Sequence, residues 1–156
     1  MRTAAQGYRA TKMLDVVPVA MGFLAEAERR CGFPEKAREI AREAAHLLDS
    51  GSPSLLNEAP VFLALHDACV DLGELSEARE AILRGIPRLA TRVQGLSGTP
   101  YARDFLTQLP TNAGLLAAAE GYGLVPRELS AIAGGEVSDT IGPPATDGGP
   151  STVRTP

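Results

Sequence analysis

The sequence GFPEKA at residues 32–37 returns in altered form as GELSEA at residues 73–78, so that Gly73 follows Gly32 by 41 residues. Glycine ends helices well because it enters the left-handed backbone conformation without strain. After the first glycine, Pro34 suits the first turn of a new helix, and Glu35 lies near the positive end of that helix dipole. The two segments therefore predict two helix hairpins that form an internal repeat.

Apolar residues around the first turn recur every three or four positions, which is the spacing of one helix face. A helix from about Met13 to Cys31 is expected to bury one such stripe, formed by Val17, Ala20, Met21, Leu24, Ala27 and Cys31. A second helix, from about Pro34 to Asp49, is expected to bury Ala37, Ile40, Ala41, Ala44, Leu47 and Leu48. A turn is predicted at Ser50 to Pro53.

The second hairpin follows the same pattern. Asn57 suits an N-cap and Pro60 suits a first turn. The expected buried residues of this helix are Val61, Leu63, Ala64, Leu65, Ala68, Cys69 and Leu72. The next helix, from Leu75 to Val93, is expected to kink at Pro87, because proline removes a backbone hydrogen bond. Its expected buried residues are Ala78, Ala81, Ile82, Ile86, Leu89 and Val93.

A third hairpin is predicted at residues 100–122. Its first helix, about Pro100 to Leu109, should turn Tyr101, Phe105 and Leu109 to the core. Its second helix, about Thr111 to Tyr122, should bury Leu115, Leu116, Ala118 and Ala119. A short helix at about Pro126 to Ile132 should cover the end of the stack. Residues 134–156 are rich in glycine and proline and predict a disordered tail, which leaves one folded domain at residues 1–133.

The composition agrees with a small all-α protein. The 156 residues are 44% hydrophobic and only 4% aromatic, which disfavours a β-sandwich. The net charge of -4 gives no reason to expect nucleic-acid or anionic-membrane binding, which needs clustered positive charge. Cys31 and Cys69 lie far apart and no secretory leader is recognised, so a cytoplasmic location is predicted. Pro18 and Gly22 interrupt the longest apolar stretch, which is too short to span a bilayer.

The Gly-x-Pro-Glu-x-Ala turn, followed by Ala44 and Leu48, resembles the hairpin turn of tetratricopeptide repeats. Gly85 and Leu89 stand at the matching positions after the second turn. The resemblance implies a right-handed stack of about three helix hairpins, a tetratricopeptide-like α-α superhelix. The 41-residue period exceeds the usual 34 of that family, so the helices should be longer.

A second resemblance concerns the run ARDFL at residues 102–106 and the Leu109-Pro110 pair. It is similar to the closing segment of tetratricopeptide-type regions at the C-terminus of bacterial serine/threonine kinases and multidomain signalling ATPases. This similarity implies a scaffold or sensor end of a bacterial signalling protein, without catalytic activity. No phosphate-binding loop or kinase motif occurs in the sequence.

The same family implies a concave groove lined by the first helix of each hairpin. Alignment of the two turns places the expected partner-binding residues on those helices: Glu26, Arg29, Arg30, Asp67, Val70 and Asp71. The carboxylate clamp of the family needs Lys, Asn and Arg, so a C-terminal carboxylate is not the expected ligand. The expected partner is another protein or another domain of the same polypeptide.

Other polar groups are weighed against simpler interpretations. His66 and Cys69 share a helix face, but Cys31 and His46 are too widely spaced to complete a zinc site. Asp67 and Asp71 are predicted to be solvent-exposed carboxylates, since the sequence shows no catalytic partner for them. Arg84, Arg88 and Arg92 form a basic stripe that is predicted to be a solvent-exposed face of the helix from Leu75 to Val93. No catalytic residue, metal site or cofactor is therefore predicted.

Two rival functions remain open from the sequence. The chain could be the terminal cap of a longer solenoid, because apolar residues spread around the first helix: Val16, Val17, Val19, Met21 and Phe23. Such a surface also allows self-association through that helix. A metal-dependent enzyme using His66, Asp67 and Cys69 is the least favoured alternative.

Overall fold

The computed structural model describes the backbone of residues 4–51 and 56–135 and the side chains of residues 16–51 and 56–135. Within these ranges the chain is all-helical, as predicted. The described helices are α1 (Ala4–Arg30), α2 (Pro34–Ser50), α3 (Ala59–Asp71), α4 (Leu75–Gln94), α5 (Tyr101–Thr107), α6 (Pro110–Gly121) and α7 (Arg127–Gly134). α1 begins well before the predicted Met13. Part of the predicted turn at 50–53 and the predicted tail after residue 135 lie outside the described residues.

The two predicted glycine turns are confirmed. Gly32 and Gly73 have positive φ angles of 87° and 75°. In each turn the amide after the glycine donates back to the preceding helix, from Phe33 to the Glu28 carbonyl at 3.1 Å and from Glu74 to the Cys69 carbonyl at 2.8 Å. These bonds satisfy carbonyls that a helix end leaves free, so α1/α2 and α3/α4 form two closely similar hairpins.

The predicted core faces of α2, α3 and α4 are largely confirmed. All six residues predicted for α4 are buried, and Pro87 lies inside that helix as expected. On α2 four of the six predicted residues, Ala37, Ala41, Ala44 and Leu48, are buried, whereas Leu47 is exposed. On α3 the prediction missed Phe62, which is completely buried.

The predicted core face of α1 is wrong except at Met21, which is partly buried against the core. Val17 and Leu24 are 44% and 50% exposed, and Ala20, Ala27 and Cys31 are exposed as well. The opposite side of the helix is buried instead, through Pro18, Gly22 and Ala25. Apolar residues surround α1, so periodicity could not choose between its faces. The close approach of α3 determines which side of α1 is buried, because that approach requires small side chains on the contacting side of α1.

α3 is the central helix, and three other helices meet it through a glycine. A Cβ on Gly22 of α1 would lie 2.9 Å from the Val61 backbone nitrogen. A Cβ on Gly85 of α4 would lie 2.7 Å from the Phe62 Cβ, and one on Gly114 of α6 would lie 2.8 Å from a methyl carbon of a leucine on α3. The absence of side chains at these positions therefore permits α1, α4 and α6 to pack closely around α3.

Both helices of the predicted third hairpin are present, but the prediction that the first helix of each hairpin continues the inner layer is wrong for this one. α6, rather than α5, packs against both α3 and α4, as α3 itself packs against α1 and α2. α5 packs beside α6 and α4, and α7 packs against α5 and α4. The buried residues of α5 are Ala102 and Leu106, while the predicted Tyr101 and Leu109 are exposed. The buried face of α6 is confirmed by Leu115 and Leu116.

A polar contact fastens α6 to the start of α3. Asn112 is fully buried, donates to the Phe105 carbonyl at 2.8 Å and accepts a hydrogen bond from Asn57 at 2.7 Å. Asn57 also accepts the Ala59 amide at 3.3 Å, although Glu58 holds the N-cap position, one residue later than predicted. This pairing satisfies the buried amide and sets the register of α6 against α3.

Candidate partner-binding groove

α1, α3 and α6 border a common groove of about 500 Å³. α1 contributes Phe23 and Ala27, α3 contributes Pro60 and Leu63, and α6 contributes Pro110 at its first turn. Phe23 is 56% exposed, so its ring is accessible from solvent. An apolar strip therefore runs across three helices at this surface.

Charged side chains along α1 and α3 hold one another in place beside this strip. Arg29 donates to Glu26 from Nε at 2.8 Å and from Nη2 at 3.1 Å, and to Asp71 from Nη1 at 3.0 Å. Arg30 Nε donates to the same Glu26 carboxylate at 2.7 Å. The hydrogen bonds from Arg29 hold the pKa of Glu26 below its usual value, so this carboxylate is charged at neutral pH. The network ties α1 to α3 and fixes the position of its charges.

The structure places four of the six predicted binding residues in the lining of the groove: Glu26, Arg29, Arg30 and Asp67. Asp71 lies next to it and contacts it through Arg29. Val70 is 41% exposed on α3 but lies outside the lining. Asp67 Oδ1 lies 2.7 Å from His66 Nδ1 while Asp71 binds Arg29, so the two carboxylates have different partners.

Sequence reasoning missed the apolar part of this surface. From the sequence, Phe23 is expected to be general apolar surface and Leu63 core, and Pro110 enters only through the resemblance to a closing segment. The spacing of Phe23 and Glu26, three residues apart on one helix, is a signal that could have placed them together. The contribution of α6 had no sequence signal, because α5 was expected in its place.

The basic stripe on α4 is engaged within the chain. Arg84 and Arg88 both bind Asp49 at the end of α2, and Arg88 also binds Glu58. Their guanidinium carbons lie 5.6 Å and 5.4 Å from the Phe62 ring centroid. Cation–π contacts and ion pairs thus tie α2 and α3 to α4. The stripe joins helices rather than forming a free basic surface.

The four residues considered for a zinc site do not form a cluster in the structure. Cys31 and His46 are exposed, and in the described residues the single group of three metal-binding side chains within 4.8 Å is Cys69, Glu74 and Glu77. Arg42 binds Glu77 through two hydrogen bonds of 2.8 Å and 2.7 Å, and an arginine of α2 likewise binds Glu74. The carboxylates therefore already neutralise guanidinium charges.

The buried Cys69 thiol should resist modification. Burial, aided by Glu77 and Glu74, raises the pKa of this thiol to about 11. Relative to an ordinary cysteine with a pKa of 9.0, this shift lowers the reactive thiolate fraction about 100-fold at neutral pH. In a Cys31→Ser variant we expect maleimide to label Cys69 only after the chain unfolds in urea. Rapid labelling of the folded variant would contradict this burial, and Cys69→Ser, which keeps the exposed Cys31, serves as the reactive control.

Comparison with known proteins returns no match for this chain among protein-family models, curated proteins or solved structures. Among the described helices, none combines the length and the apolar character needed to cross a membrane. The groove and its bordering charges therefore carry the inference about function.

Proposed function

We propose that this chain is a non-catalytic protein-interaction module that binds a partner segment in the groove between α1, α3 and α6. The partner is another protein or another domain of the same polypeptide. The observation that carries the proposal is the apolar strip with an accessible Phe23, bordered by the charges of Glu26, Arg29 and Asp71. Apolar anchors supply affinity, and fixed charges select the register of the bound segment.

The resemblance of the two glycine turns to tetratricopeptide repeats supports this proposal. In such repeats the first helix of each hairpin lines the binding groove, and α1 and α3 are the first helices here. α6 supplies the third helix of the same wall. On the same resemblance, we assign the module to the scaffold or sensor end of a bacterial signalling protein in the cytoplasm.

A second candidate function is that of a terminal cap in a longer solenoid. The observation that favours it is the outward apolar face of α1, where Val17 and Leu24 are exposed. A preceding hairpin would bury that face in the way that α3 buries the opposite side of α1.

A metal-dependent enzyme is the weakest candidate. Both ring nitrogens of His66 have neighbours, since Nδ1 faces Asp67 at 2.7 Å and Nε2 faces the Tyr122 hydroxyl at 3.4 Å. Cys69 is buried with a raised pKa, which is the opposite of an activated thiolate.

The proposed groove can be tested by substituting two phenylalanines that are equally exposed. Phe23 and Phe33 are both 56% exposed, but only Phe23 lines the groove. Tagged wild-type protein, Phe23→Arg and Phe33→Arg are used to capture partners, which are quantified by mass spectrometry. We expect Phe23→Arg to reduce capture of the cognate partner at least about tenfold, because the bound partner would bury an unpaired arginine charge in the groove. Phe33→Arg should capture like the wild type.

Circular dichroism of both variants confirms that they fold. Equal capture by Phe23→Arg and wild type would refute the groove as the binding surface. A partner lost with both variants would point to a surface elsewhere and count against the proposal in the same way.

A further inference from the structure

Within the described part of the chain, one carboxylate of the groove, that of Asp67, has no lysine or arginine partner. Glu26 binds both Arg29 and Arg30, and Arg29 also binds Asp71. Arg29 attracts Asp67 through space, but its hydrogen bonds go to the other two carboxylates. These five side chains therefore carry three negative and two positive charges, and the surplus negative charge lies at Asp67.

The neighbour of Asp67 is an imidazole. His66 Nδ1 lies 2.7 Å from Asp67 Oδ1, and this ring carries a positive charge only when it is protonated. Tyr122 holds the other side of the ring, with its hydroxyl 3.4 Å from Nε2 and the two rings edge to face at 5.8 Å. A neutral imidazole gives the carboxylate one hydrogen bond, which leaves its charge uncompensated and most of its acceptor sites open.

A segment that covers the groove has to compensate this charge. Asp67 is partly buried, and a bound segment would displace the water that remains around it. Burying a carboxylate is strongly unfavourable unless a cation pairs with it. A lysine or arginine of the segment would donate to Asp67 and replace the lost hydration. An acidic segment would add repulsion to the lost hydration, so the surplus charge selects against it.

The apolar strip indicates where the cation of the segment must lie. Leu63 and Asp67 are four residues apart on α3, so about 6 Å separate them along the helix axis. Phe23 lines the same groove from α1. Two residues of an extended segment or four residues of a helix span this distance. An apolar anchor in the strip therefore brings a cationic side chain to Asp67 when it lies two to four positions away.

We infer that the segment bound in this groove is both apolar and basic: an apolar side chain enters the strip, and a lysine or arginine two to four positions away pairs with Asp67. The inference rests on the proposed function and names the partner chemistry of the same groove. Asp67 determines specificity rather than stability, because its hydrogen bond stays within α3, whereas Arg29 joins α3 to α1.

Peptides of about 12 random residues, displayed on phage, are selected against the full chain at about pH 8, where an imidazole is ordinarily neutral. We expect the selected peptides to lose binding to Phe23→Ala and to share the apolar and basic pattern. Asp67→Asn keeps an acceptor oxygen for His66 but removes the charge, so it should weaken these peptides at least about tenfold. The matched control is Asp104→Asn, the same change at an exposed residue of α5 outside the groove lining, which should bind like the wild type.

Replacing the basic residue of a selected peptide by glutamine tests the pairing itself. This change should weaken binding to the wild type at least about tenfold but have less than about threefold effect on Asp67→Asn, where the interaction is already absent. Peptides that need Phe23 but bind Asp67→Asn as tightly as the wild type would overturn the inference and leave the groove in place. A selection that yields no peptide dependent on Phe23 would overturn the proposed groove, and the inference with it.

Discussion

Phe62→Ala is expected to lower the free energy of unfolding by about 3–5 kcal/mol, the range for truncating a buried phenylalanine. Phe62 is completely buried, and the Gly85 backbone of α4 lies directly against its Cβ. Removing the ring would leave a cavity in the centre of the helix stack. It would also remove the surface on which the guanidinium groups of Arg84 and Arg88 rest.

The matched control for this change is Phe33→Ala. Phe33 lies in the first turn and is 56% exposed, so its truncation should change the stability by less than about 1 kcal/mol. Urea titrations followed by circular dichroism measure both variants, since the chain has no tryptophan. Equal losses for the two variants would show that Phe62 is not the centre of the core.

Gly22→Ala is expected to destabilise the chain by about 1–3 kcal/mol through overpacking. The new Cβ would lie 2.9 Å from the backbone nitrogen of Val61, and a backbone cannot rotate away as a side chain can. α1 would have to move away from α3, which would also widen the groove, because Gly22 is part of its lining.

The same substitution at Gly121 provides the control with the opposite sign. Gly121 ends α6, and a Cβ there would meet no atom within 4 Å. Alanine should therefore stabilise the chain by about 0.4–1 kcal/mol, because it reduces the freedom of the unfolded chain. Urea midpoints that move in the same direction for both variants would contradict the close approach of α1 and α3 at Gly22.

The success of the sequence predictions depended on how much of each helix is polar. α4 carries most of its apolar residues on one side, with Leu75 and Leu83 exposed elsewhere, and its six predicted core residues were all correct. α1 carries apolar residues on all sides, so the stripe through Val17 and Leu24 was as regular as the true core face. Spacing identifies a face, but it does not identify which neighbour covers that face.

The groove likewise has a part that the sequence predicted and a part that depends on how the helices pack. Alignment of the two turns placed Glu26, Arg29 and Asp67 on the first helices, and these residues do line one groove. The pairing of Arg29 with Asp71, 42 residues apart, depends on the distance between α1 and α3, which Gly22 controls. The third wall of the groove depends on α6, and its place was assigned to α5.

The sequence by itself determined the helices, the two glycine turns that end them and the core faces of α2, α3 and α4. These features follow from local backbone preferences and from apolar spacing within one helix. Only the tertiary structure decided which side of α1 is buried and that α6 stands beside α3. Those outcomes rest on contacts between distant segments, where Gly22, Gly85 and Gly114 allow helices to approach α3 and where Asn112 finds its partners. A missing side chain leaves no periodic signal, so its effect appears only when the helices are packed together.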